Sequence, residues 1–227
     1  MNLVVKDTSF NYKDRIIFDS INLKLSQGEF ICLVGANGAG KSTLLKLIFG
    51  DLKPISGEIF IEDSHNKRVK NLVQNISYLP SNIDNPLYLT VRELLRLARY
   101  KKGSKFQWNL SSEDHNKMEY GIKKCKIGKF LDMNFSELSN GERQRVWLAF
   151  CLVQDKKFLV LDESLNNLDY PTRDFFFIML KEIAKDKKGI LIATHDLEMV
   201  NKFADRIFII KNNNLTITNL VIKDNII

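Results

Sequence analysis

Short apolar runs of strand length alternate with stretches of helical period along this chain. The strand-like runs come first: Leu3–Val5, Ile21–Leu25, Phe30–Val34, Glu58–Glu62 and Ile76–Leu79. Val91–Tyr100 then repeats apolar residues at helical spacing, and a polar, lysine-rich section runs from Ser111 to Lys129. Asn140–Gly141 punctuates the start of a further helical run, Glu142–Val153. After it the pattern predicts strand Phe158–Leu161, helix Arg173–Ala184, strand Ile190–Ala193, helix Leu197–Phe203 and strand Ile207–Ile210. Leu215–Ile227 alternates weakly and predicts a short hairpin. Strands that are apolar at every position, alternating with helices, predict a sheet covered on both faces. A mostly helical section is interposed near residues 82–155.

Composition narrows the class. With 227 residues, 44% of them hydrophobic, the chain suits one globular domain with a real core. No apolar run approaches the ~20 residues of a membrane-spanning helix. The start, MNLVVKDTSF, lacks the basic head and long apolar stretch of a secretory signal, so a cytosolic protein is expected. Cys32, Cys125 and Cys151 have no metal-type spacing, and His65, His115 and His195 are scattered. Free thiols in a reducing compartment are expected, and no zinc cluster. The net charge of +7 gathers at Lys67–Arg68–Lys70, Lys101–Lys102–Lys105 and Lys123–Lys124–Lys126–Lys129. These runs suit a solvated face or attraction to an anionic membrane leaflet. No nucleic-acid-binding signature accompanies them, so no nucleic-acid partner is expected.

Two motifs carry chemistry. Gly35-Ala36-Asn37-Gly38-Ala39-Gly40-Lys41-Ser42 fits G-x-x-x-x-G-K-[ST] between strand Phe30–Val34 and helix Thr43–Phe49. Its glycines let the backbone curl so that successive amides point at phosphate oxygens. The helix adds its positive N-terminal end, Lys41 can reach the outer phosphates, and Ser42 can ligate magnesium. Thr43, at the helix start, counts with the nucleotide-binding residues. The second motif is Phe158-Leu-Val-Leu-Asp162-Glu163, an apolar strand ending in two carboxylates. Strand ends of this kind are where open α/β sheets bind ligands. Asp162 can hold magnesium, and Glu163 can act as general base or orient the attacking water.

Between these motifs stands Leu138-Ser139-Asn140-Gly141-Glu142-Arg143-Gln144-Arg145. It resembles the L-S-G-G-[QE] signature of the ATPases of ABC transporters, and the likeness extends over roughly residues 2–212. That resemblance implies an α/β fold: a phosphate-loop NTPase core with a mixed sheet, an N-terminal antiparallel β region and an inserted helical subdomain at about 82–155, all within a single domain, 1–227. It implies ATP and Mg2+ as cofactors, and a dimer, a homodimer by expectation, in which Ser139, Gly141 and Glu142 of one subunit close over ATP held by the other. Tyr12 matches the adenine-stacking aromatic, Asp169 the aspartate that touches the partner, and His195 the histidine that senses γ-phosphate. The resemblance also implies transmembrane permease subunits as partners and a place on the inner face of the cell membrane. Leu89-Thr-Val-Arg-Glu-Leu and Leu168-Asp-Tyr-Pro-Thr-Arg look most like the importer branch for iron chelates, haem and cobalamin.

Three positions depart from the pattern. Ser81 stands where the family usually has Gln, Asn140 replaces the first signature glycine, and Ser164 replaces the usual Pro after the catalytic Glu. Two other readings stay open here. One is a soluble ABC-type ATPase of DNA repair or translation, against which stand the lack of sustained heptads and the single ATPase motif set. The other is a non-hydrolysing nucleotide sensor, which Ser81 favours and the retained Lys41, Asp162, Glu163 and His195 oppose.

Overall fold

The computed structural model describes residues 1–69, 71–100, 110–163 and 168–218. Strands β1 (Asn2–Tyr12) and β2 (Arg15–Ser26) form a hairpin, with β4 (Ser56–Glu62) on the other edge of β1 and β5 (Arg68–Val69) beyond it; all these pairings are antiparallel. A second sheet holds β3 (Phe30–Gly35), β6 (Ile76–Leu79), β7 (Phe158–Asp162), β8 (Gly189–Ala193), β9 (Arg206–Lys211) and β10 (Asn214–Thr218) in the order β10-β9-β3-β8-β7-β6. Every pairing in it is parallel except β10 with β9. The sheet is therefore mixed, and the N-terminal region is antiparallel, as expected.

Alternation is hidden in the central strands because both faces are covered. Phe30, Cys32, Val34, Leu159, Leu161, Ile190 and Ile192 enter one apolar cluster, with α4 (Asn140–Val153) and α5 (Tyr170–Lys185). Their neighbours Ile31, Leu33, Phe158, Val160, Leu191 and Ala193 enter another, with α1 (Lys41–Phe49) and the antiparallel sheet. Each position has a core to face, so period two leaves no polar trace in the sequence. Val91 and Leu94 of α2 (Val91–Leu97), together with Phe130 and Phe135, join the first cluster. The helical section thus packs continuously with the sheet.

Several boundaries differ from the sequence reading. The polar section forms a real helix, α3 (Ser112–Cys125). It is specified by its capped ends, by side-chain contacts and by a short apolar stripe, Met118, Gly121, Ile122 and Cys125, set against the core. Ser111 and Asp114 form a reciprocal cap, Arg99 Nε donates to Asp114 Oδ1 at 2.7 Å, and only Met118, Gly121 and Cys125 among its uncharged residues are buried. α4 starts at Asn140, not Glu142, because Ser139 and Glu142 build the same type of cap and place Gly141 inside the first turn. α2 ends at Leu97, short of the expected Tyr100, and α5 begins three residues before the expected Arg173, with Pro171 in its first turn. β10 pairs back on β9 through Asn212 and Asn213, both at positive φ, so the observed hairpin precedes the expected one. Residues 219–227 of that expectation, Lys70, Lys101, Lys102, Lys105 and Ser164 lie outside the described residues. A short helix α6 (Leu197–Phe203) precedes β9.

Candidate functional site

β3, β8 and β7 are adjacent and parallel, so their C-terminal ends share one edge of the sheet. From β3 the loop Gly35–Gly40 curls into α1. Gly38 and Gly40 hold φ of 77° and 111°, values open to glycine and strained for other residues. At Gly40 the packing is a second demand: a Cβ would stand 2.8 Å from Ile17 Cγ2 and 2.9 Å from Phe18 Cζ. The β1–β2 hairpin therefore leans directly on the phosphate loop.

Lys41, only 4% exposed, spends its ammonium on three oxygens. It donates to the carbonyls of Gly35 at 2.9 Å and Ala36 at 3.2 Å, and lies 3.1 Å from Glu163 Oε1. Glu163 follows β7 at φ 46°, with its amide donating to Ala193 O at the end of β8. Left-handed backbone at a non-glycine residue costs on the order of 1 kcal/mol, and it recurs at functional sites. Ser42 Oγ donates to Asp162 Oδ1 at 3.0 Å, and the Tyr78 hydroxyl stands 3.5 Å from Oδ2. Burial raises the Asp162 carboxyl above its usual range, and the Ser42 hydrogen bond opposes that rise. The Ser42 hydroxyl and the Asp162 carboxylate form a pair of hard oxygen donors beside the cradle. No group of three or more His, Cys, Asp or Glu residues converges among the described residues. This donor set fits Mg2+, which takes one or two protein oxygens and fills its shell with phosphate and water, and it does not fit a metal caged by protein alone.

A cleft of about 510 Å3 opens over these groups, lined by Tyr12, Arg15, Ile17, Asn37, Gly38, Gly40, Lys41, Ser42, Thr43 and Glu163. Tyr12 ends β1 with 48% exposure, its ring braced edge-on by Phe10 at 4.9 Å. Gly35, Ala36 and Ala39 build the loop without lining the cleft. Sequence reasoning missed Arg15 and Ile17. Tyr12 pairs with Arg15 across a two-residue turn, so the available signal was the hairpin that carries Tyr12.

The remaining expected residues lie elsewhere on the surface. Ser139 is exposed at the start of α4, where its amide and hydroxyl both donate to Glu142 Oε2, at 2.9 and 2.8 Å. Those bonds hold the Glu142 carboxyl below its ordinary range. Gly141 sits in the same turn, with Thr172 on α5 close against it. Asp169 caps α5 by position but makes no side-chain capping bond. His195 is exposed in the turn after β8, two residues past Ala193, the register partner of Asp162. A second cleft, of about 460 Å3, runs between the loop after β6 and α4; Ser81, Asn82, Asn140, Gln144 and Trp147 line it, and Glu163 borders it too. Ser81 and Glu163 thus line the same cleft.

The family profile described as "ABC transporter" matches residues 18–166. The high-affinity zinc uptake system ATP-binding protein ZnuC of Bacillus subtilis (strain 168) is 33% identical over 212 residues, covering 91% of this chain and 90% of that protein. The probable siderophore transport system ATP-binding protein YusV of the same organism is 32% identical over 208 residues, covering 90% and 75%. Among solved structures, cbiO1 from Clostridium perfringens, part of the ABC transporter complex cbiONQ, superposes with a TM-score of 0.82 at 29% identity, covering 96% of this chain and 88% of that one. A phosphate loop, a carboxylate-ended strand at the same sheet edge and similarity over most of the length together place this chain in the ABC transporter family, as an ATP-hydrolysing, ATP-binding subunit.

Proposed function

We propose that this chain works as a dimer on the inner face of the cell membrane and powers uptake of an iron chelate, haem or cobalamin through separate transmembrane permease subunits. Support for the solute class comes from relatives named for siderophore, petrobactin and iron-hydroxamate transport. No described helix is long and apolar enough to cross a membrane, in keeping with a permease on other polypeptides.

Each residue has a part in this reading. The loop Gly35–Gly40 and the start of α1 cradle the triphosphate, Lys41 meets its outer oxygens, and Tyr12 stacks on adenine. Ser42 and Asp162 would hold Mg2+, which when bound neutralises phosphate charge. A triphosphate in the cradle offers Lys41 a denser anion than Glu163 does. Glu163 is thereby released to orient water and take its proton at a carboxylate oxygen. His195 meets the γ-phosphate from the neighbouring strand end. Ser139, Gly141, Glu142 and Asp169, all outside the cleft of their own chain, serve the nucleotide of a sister molecule.

The observation that carries the proposal is the convergence of Lys41, Ser42, Asp162 and Glu163 at one strand edge, with Lys41 3.1 Å from Glu163 and Ser42 3.0 Å from Asp162. Its test is steady-state ATP hydrolysis by wild type and Lys41→Ala. A large loss in the variant is expected, and equal rates would sink the assignment of this cleft.

A further inference from the structure

The turn that carries His195 is pinned from four sides. Before it, Ala193 O accepts from the Glu163 amide at 3.0 Å, and the Thr194 amide donates to Leu33 O at 3.1 Å. After it, Asp196 Oδ1 accepts from the Met199 amide at 3.2 Å and so caps α6. The other oxygen of the same carboxylate, Oδ2, takes Arg173 Nη1 at 2.8 Å. Three of these contacts are backbone geometry or helix capping, which ordinary folding explains. The fourth is an ion pair reaching across from α5, with the two side chains 27% and 13% exposed.

Arg173 lies in the first turn of α5, four residues after Asp169, and its amide donates to the Asp169 carbonyl at 3.0 Å. That same turn sends a second link to α6, from the Tyr170 hydroxyl to Glu198 Oε1 at 2.6 Å. Arg173 Nε is buried and has no hydrogen-bond partner among the described residues. Leaving a buried donor unpaired is unfavourable, so stability alone does not select an arginine in this pose. We propose that Arg173 is a positioning residue for ATP hydrolysis: through Asp196 it sets the His195 turn and ties it to the Asp169 end of α5. The inference rests on the roles given above to His195 and Asp169. It makes the approach of a sister molecule at Asp169 a mechanical input to the γ-phosphate-sensing histidine of the same chain.

The experiment measures ATP hydrolysis and melting temperature of the full chain. The variants are Arg173→Gln, Asp196→Asn, the two combined, and Lys202→Ala. Asn still caps a helix about as well as Asp, so Asp196→Asn removes the ion pair and keeps the cap. Lys202→Ala breaks a separate α5–α6 pair, Lys202 with Asp174, and serves as the control. Each single change at Arg173 or Asp196 should lower kcat about tenfold to a hundredfold with KM for ATP near wild type, up to the size a ~1 Å misplacement of a reacting group can cost. The double variant should lose no more than either single, and Lys202→Ala should keep the wild-type kcat. In a His195→Ala background, Arg173→Gln should have no further effect. Unchanged kcat, additive losses, an equal loss without His195, or a loss that follows melting temperature and recurs in Lys202→Ala each overturns the proposal. Wild-type hydrolysis no faster than that of Lys41→Ala overturns the cleft assignment and this inference together, and so is distinct from a failure of the Arg173–Asp196 link alone.

Discussion

Glu163 combines a strained backbone with a charge partner, and the two demands can be separated by substitution. Glu163→Gln keeps size and hydrogen bonding but cannot take a proton. It should retain ATP while kcat falls at least about 100-fold, the usual scale of a lost general base. Rapid-filtration binding and steady-state hydrolysis read the two effects independently. Tyr12 makes the opposite kind of contact, needing only a ring face. Tyr12→Phe should bind ATP as wild type does, whereas Tyr12→Ala should weaken it about tenfold, in line with ~1–1.5 kcal/mol for an aromatic contact. Titration calorimetry distinguishes these, and equal affinity of all three proteins would remove Tyr12 from the site. The expectation for Tyr12 came from the family resemblance, whereas the phosphate loop and the acid-ended strand were readable in the chain because each is contiguous and its chemistry demands particular residue types. Arg15 and Ile17 were not, because only the hairpin's lean onto Gly40 brings them to the cleft.

At the scale of elements, α3 shows how a charged helix is held in place. Asp114 is lowered from the ordinary 3.8 to about 2, first by the Ser111 hydroxyl and then by Arg99. A depressed carboxyl stabilises the fold above its unfolded pKa, and that contribution disappears as pH falls through the folded value. The window here is therefore about pH 4 down to about pH 2. Asp114→Asn should lower stability by about 1 kcal/mol at pH 7 and show a smaller deficit near pH 2, as followed by urea unfolding at both values. A constant deficit at the two pH values would refute the assignment. The sequence placed this section in a mostly helical stretch but did not delimit the helix, because its apolar face, Met118, Gly121, Ile122 and Cys125, is short and set among lysines; Gly121 lies close against Val153 on α4. A reciprocal cap and the Arg99–Asp114 ion pair supplement that short stripe.

Over the whole molecule, two properties follow from what is buried and what is displayed. Cys32, Cys125 and Cys151 are all buried, and burial pushes every thiol up, that of Cys151 to about 12. In the native protein none should react with an aromatic disulfide reagent at pH 8, and all three should react once it is unfolded. A fast-reacting thiol in the native state would contradict this packing. Ser139 and Asp169 are displayed away from their own cleft, so Glu163→Gln with ATP and Mg2+ should double in mass by light scattering. Ser139→Ala in that background should weaken the association.

Legible in the chain alone were the phosphate loop, the acid-ended strand, the Ser139 turn and the continuous apolar strands. Each is written in neighbouring residues, whose spacing is set by local backbone geometry and by the chemistry of phosphate. Tertiary structure alone decided that the β1–β2 hairpin closes the cleft, that Ser81 and Gln144 share a second cleft with Glu163, and that Arg173 reaches Asp196. Those outcomes join residues that are distant in sequence. They depend on how two faces of one sheet fill with side chains, which no local pattern encodes.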